Sequence, residues 1–89
     1  MNHHYHKILQ SVFAHPISAN IDYKDITHLF AEFGALMDEK SGNRLEVELK
    51  GYTFFLHRPH GHALPIDEVA RVRDFLKQCD ITPDTMAAA

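Results

Sequence analysis

At 89 residues the chain has the size of one small domain, with room for a single core and little stability to spare. Its 45% hydrophobic content, six Phe and three Tyr exclude a disordered chain, and its net charge of −3 argues against a strongly basic nucleic-acid binder. The single cysteine, Cys79, excludes an internal disulfide framework and the multi-cysteine zinc sites.

No apolar run nears the roughly 18 residues that span a bilayer, and Met1 to His6 has no secretory h-region, so a reducing cytoplasm is the expected location. The charge is uneven along the chain. Up to Glu39 two lysines, Lys7 and Lys24, face five acids, whereas the remainder carries seven bases and seven acids. Any basic surface must come from Arg44, Lys50, Arg58, Arg71, Arg73 and Lys77.

Tyr5, Ile8, Leu9, Val12 and Phe13 recur at helical spacing and predict a short amphipathic helix from His4 to Ala14, ending before Pro16. The preceding His3, with His4 and His6, belongs to a start expected to be mobile. Asp22, with Asp25 three residues on, signals the start of a second helix striped by Ile26, Leu29, Phe30 and Phe33. Gly34 stands where a left-handed C-terminal residue would end it.

Ala35 to Lys40 reads as a first strand of modest quality, and Ser41-Gly42-Asn43 as the turn that follows. From Arg44 to Lys50 the alternation is clean, with Leu45, Val47 and Leu49 on one face and Arg44, Glu46, Glu48 and Lys50 on the other. After Gly51, Tyr52, Phe54 and Leu56 continue the core face of a third strand. Phe55 then projects outward beside Thr53 and His57, where it is a candidate partner contact.

Pro65, Asp67 and Glu68 open a last helix, whose buried stripe is Ile66, Val69, Val72, Phe75, Leu76 and Cys79. Arg71, Arg73, Asp74 and Lys77 are expected outside. Asp80 to Ala89 lacks a stripe and is expected to fray. The predicted fold class is α+β: a three-stranded antiparallel sheet packed on helices, in the order α-α-β-β-β-α.

The densest chemistry is His57-Arg58-Pro59-His60-Gly61-His62, at the exit of the second hairpin. An imidazole titrates near pH 6.5 and serves as acid, base, metal ligand or phosphate contact. Three readings stand for His57, His60 and His62: solvated loop residues, RNA contact or proton transfer, and an open metal site. The usual cysteine partners are missing, so a metal is the least expected of the three, and no cofactor is expected. Arg44 is either an exposed strand residue paired with an acid or a phosphate contact. Arg71, Arg73 and Lys77 are a solvated helix face or an extension of a phosphate-binding surface. Cys79 reads as a packed core thiol.

Several short motifs carry a resemblance over Asp22 to Ile81. They are Tyr23-Lys24-Asp25-Ile26 with Leu29 and Gly34, Gly42-Asn43-Arg44 entering the second strand, Arg58-Pro59-His60 after the third, Leu64-Pro65, and Phe75-Leu76-Lys77-Gln78-Cys79-Asp80-Ile81. With the element order, they resemble the HicA family of bacterial toxins, small α-β-β-β-α domains similar to double-stranded-RNA-binding domains. The resemblance implies a toxin-antitoxin component that binds mRNA, acts as a metal-independent endoribonuclease (mRNA interferase), and is neutralised by a HicB-like antitoxin.

The family's active histidine usually lies in Gly-Ser-His at the entry to the second strand; here Gly42 matches, Asn43 replaces Ser and Arg44 replaces His. An arginine, with a pKa above about 12, is a poor acid or base at neutral pH but binds phosphate bidentately. The expected catalytic residues are therefore His57 and His60. Arg44, Arg58, Lys50, Arg71, Arg73 and Lys77 are the expected RNA contacts. The alternative is a catalytically inactive, HicA-derived module for protein or RNA interaction. The expected organisation is an N-terminal helical extension at 1–21, the HicA-like domain at 22–82 and a disordered tail at 83–89.

Overall fold

The structure, a computed structural model, describes residues 3–40 and 42–87. Its elements are α1 (His3–Val12), α2 (Tyr23–Glu32), β1 (Leu36–Glu39), β2 (Arg44–Leu49), β3 (Tyr52–His57), α3 (Ile66–Gln78) and α4 (Pro83–Ala87). The sheet is antiparallel with strand order β1-β2-β3, so the α+β architecture expected from the periodicities is the one observed. Among the described residues no helix is long and apolar enough to cross a membrane.

The apolar stripes meet in one core. Leu45, Val47, Leu49, Phe54 and Leu56 cover the inner sheet face, against Ile26, Leu29 and Phe30 of α2 and Val69, Val72, Phe75 and Leu76 of α3. At its centre the Phe54 and Phe75 rings stack at 4.9 Å, and Phe30 meets both at 6.3 and 5.9 Å. Ile8, Leu9 and Val12 of α1 are buried in the same cluster, and α1 contacts α2, α3 and α4. The N-terminal helix is thus built into the core.

Local signals set the boundaries. Asp22 caps α2 through its carboxylate, which accepts the Lys24 N–H at 2.9 Å. Gly34, at φ +85°, closes α2 in a Schellman arrangement, with Ala35 N–H donating to Phe30 O and Gly34 N–H to Ala31 O. Lys50 and Gly51 both have positive φ, 52° and 83°, and form a two-residue primed turn between Leu49 and Tyr52. Lys50 therefore belongs to the turn and not to the second strand. The residue Ser41, expected in the preceding turn, lies outside the described residues.

Three further expectations change. Ile66, placed in the buried stripe, is 50% exposed as the first residue of the helix, whereas Val69 three residues on is fully buried. The tail expected to fray forms α4: Thr82 and Thr85 exchange backbone-to-hydroxyl bonds at 2.8 and 3.2 Å, Pro83 occupies the first helical position, and Met86 packs on the core. Ala88 and Ala89 lie outside the described residues. Finally, Arg73 is half-buried, with its Nε and Nη1 atoms buried and without a hydrogen-bond partner, where an exposed side chain was expected.

Candidate nucleic-acid interface

Antiparallel register brings Arg44 opposite His57. Arg58 N–H donates to Asn43 O at 2.7 Å, so the flanking Arg44/His57 pair is a non-hydrogen-bonded one, the type with the closest side chains, about 4.5–5.5 Å apart at Cβ. Guanidinium and imidazole therefore leave the same outer sheet face side by side. The Arg44 guanidinium lies over the Phe55 ring, 5.3 Å from its centroid, which covers the aromatic expected to project outward.

The same geometry turns His57 N–H and Phe55 C=O toward the open edge of β3, and α3 meets them. Glu68 Oε2 accepts His57 N–H at 2.8 Å, and Arg71 Nη2 donates to Phe55 O at 3.2 Å. Arg71 Nη1 reaches both Glu68 oxygens, at 2.8 and 2.9 Å, and lies 3.2 Å from His57 Nδ1; Glu68 Oε2 is 3.5 Å from that nitrogen. Glu68 is the one buried charged residue among the described residues, at 6% exposure. Arg71 also covers the Phe54 ring at 4.8 Å.

Beyond His57 the chain returns to α2. Tyr23 N–H donates to His62 O and Leu64 N–H to Ile21 O, at 2.8 and 2.9 Å, which pins the histidine-rich loop to the helix start. Two adjoining clefts result. One is bordered by Tyr23, Glu39, Asn43, Arg44 and Arg58, the other by Tyr23, Lys24, Arg58, His60 and His62. Arg58 lies 5.9 Å from the Tyr23 ring centroid, between the two. Burial pushes the Tyr23 phenol above its ordinary 10.0, Arg58 opposes that and Glu39 adds to it, so the hydroxyl is a protonated donor at neutral pH.

The structure thus brings Arg44, His57 and Arg71 together, and joins Arg58 to His60 along a cleft that Lys24 and Asp22 also line. The other predicted contacts lie elsewhere. Lys50 sits at the far end of β2, six residues from Arg44 and roughly 20 Å away at strand rise. It faces the C-terminal end of α3, where it pulls the Cys79 thiol down against the larger upward push of burial. Lys77 is exposed in that last turn. Arg73, with two buried guanidinium nitrogens, offers only part of its head to a ligand.

Residue reading missed Glu68, Tyr23 and Asn43. Glu68 had a signal: it stands four residues before Val72 and seven before Phe75, on the buried stripe, and a carboxylate there requires partners. The centre of the outer sheet face is acidic, with Asp38, Glu46 and Glu48, and Lys40 bridges Asp38 and Glu46 at 3.0 and 3.6 Å. Among the described residues no group of three or more His, Cys, Asp or Glu side chains is arranged to hold a metal. No family model, curated protein or solved structure matches the chain.

Proposed function

We propose that this domain is a HicA-like toxin component that binds RNA and cleaves it. Arg44 and Arg58 hold phosphates, and His57 and His60 are the imidazoles that serve the reacting groups. One observation carries the reading. Arg44 takes the position of the family's active histidine, and its cross-strand partner is an imidazole, so a histidine still stands beside that position, one strand over.

The chemistry this arrangement suits is transfer to the ribose 2′-hydroxyl. The hydroxyl gives its proton to an imidazole, O2′ bonds to phosphorus, the P–O5′ bond breaks, and O5′ leaves with a proton from water or a second imidazole. Guanidinium contacts offset the charge that builds on the non-bridging oxygens. The products are a 2′,3′-cyclic phosphate and a 5′-hydroxyl end. RNA as substrate places the protein in the cytoplasm, and a HicB-like antitoxin would neutralise it by covering the Arg44, His57 and Arg58 surface.

The acidic centre of the sheet favours a second reading, an inactive interaction module, because it repels a phosphate backbone laid across the strands. Incubating the purified chain with single-stranded RNA and a chelator, between about pH 5 and 8, separates the two. Cyclic-phosphate products that disappear in His60→Ala support cleavage. Binding without products supports the inactive module. The absence of both RNA cleavage across that range and growth arrest on expression would overturn the toxin reading.

A further inference from the structure

The His57 ring is held from one side. Arg71 Nη1 lies 2.8 and 2.9 Å from the two Glu68 oxygens. The same nitrogen, which carries two N–H groups, lies 3.2 Å from His57 Nδ1. A guanidinium has five donors and no acceptor, so this contact is a hydrogen bond only when Nδ1 is bare. The neutral ring then carries its proton on Nε2, since the bond at one ring nitrogen sets the state of the other.

Glu68 offers the opposite bond, because Oε2 could accept from an Nδ1–H. That oxygen is 3.5 Å away and already receives His57 N–H at 2.8 Å and Arg71 at 2.9 Å. Arg71 Nη1 is the nearer partner, at 3.2 Å. The ring is otherwise open, with 54% of the side chain exposed, and Arg44 of β2 is its neighbour on the sheet face.

We infer that Arg71 locks neutral His57 in the Nε2–H form, so that beside Arg44 the ring presents a hydrogen-bond donor rather than a base. The ligand chemistry this fits is a phosphodiester oxygen, met by a guanidinium and an imidazole N–H from one face. The choice of ligand rests on the RNA reading. It divides the labour of the two imidazoles: His57 donates to a non-bridging oxygen and keeps its proton, with no bond to the ring formed or broken. Removal of the 2′-hydroxyl proton falls to His60.

The tautomer is measurable without RNA. Long-range proton–nitrogen NMR on histidine-labelled protein at about pH 8, above the ordinary imidazole pKa of about 6.5, distinguishes a bare from a protonated ring nitrogen. The full chain should show His57 with a bare Nδ1. Arg71→Met, which leaves Glu68 as the remaining partner, should invert the pattern to Nδ1–H. Should that variant fail to fold, Glu68→Leu/Arg71→Leu replaces the buried pair with apolar side chains and should return His57 to the mixture of forms shown by exposed His60. A wild-type Nδ1–H pattern, or variants that leave the pattern unchanged, would overturn the inference. Adding a 2′-O-methyl RNA octamer, which cannot be cleaved, then tests the ligand: loss of the RNA reading shows as an unshifted His57 resonance with the tautomer intact.

Discussion

Glu68 accepts the His57 backbone N–H at 2.8 Å, which ties the start of α3 to the open edge of β3. With Arg71 on Phe55 O, it satisfies edge groups that would otherwise invite another strand. Glu68→Ala strands both a backbone donor and a guanidinium and should cost about 2–3 kcal/mol; Arg71, being partly exposed, regains some hydration. Glu68→Gln, which keeps an acceptor for His57 N–H, should cost less. Urea denaturation measures both, and an unchanged midpoint in Glu68→Ala would show the carboxylate to be dispensable.

Two residues sit in left-handed backbone without being glycine. Lys50, at φ 52°, is in the hairpin turn, and Asp80, at φ 60°, closes α3 with Ile81 N–H donating to Leu76 O. Lys50→Gly should stabilise by about 0.5–1 kcal/mol, the left-handed cost less the added entropy of glycine in the unfolded chain. Asp80→Gly should gain less, since aspartate tolerates this region. A fall in thermal midpoint on Lys50→Gly would contradict the turn geometry.

RNA affinity should divide the basic residues by position. Arg44→Ala and Arg58→Ala should each lower the slope of log K against log salt by about 0.7, the value for one phosphate contact on a single strand. Lys50→Ala and Lys77→Ala, at the other end of the molecule, should leave it unchanged. Filter binding across a salt series decides, and equal slopes for all four variants would remove the interface from the Arg44 end.

Alkaline stability follows from two groups. Burial holds the Cys79 thiol above its ordinary 9.0 and the Tyr23 phenol above its ordinary 10.0. Each loses its proton more readily unfolded than folded, so the stability it contributes is complete below the unfolded pKa and is lost as pH rises through the folded one. The urea midpoint should therefore hold to about pH 9 and fall above it. Cys79→Ala should flatten the first part of the decline and Tyr23→Phe the later part. At neutral pH the same buried thiol should alkylate slowly, with little thiolate present.

Much of the fold lay open in local pattern. The stripe of α2, the alternation of β2 and Gly34 each obey a rule that acts within a few residues, and each element formed where its rule pointed. Ile66 differs because periodicity gives a helix a face but does not say where along that face the core begins. Arg73 shows the same limit, since α1 packs on α3 and brings long-range contacts that no α3 window contains.

The candidate site was legible as a composition and not as an arrangement. The alternation of β2 and β3 placed Arg44 and His57 on outward positions, but only the hairpin register set them opposite each other. Glu68 was read as an acid complementing a helix dipole, a role it fits by sequence position. Its burial follows from the crossing of α3 beneath the end of β3, a tertiary fact. His60 and His62 join the cleft because the loop closes on Ile21 and Tyr23, and no spacing in the loop itself encodes that closure.

That closure has an entropic consequence. The seven residues from Arg58 to Leu64 are tethered at both ends, by Arg58 N–H on Asn43 O and by Leu64 N–H on Ile21 O. The chain has already given up most of its freedom there on folding. A ligand entering between Lys24 and His60 meets a frame set before it arrives, so its affinity is not spent on ordering the loop that receives it.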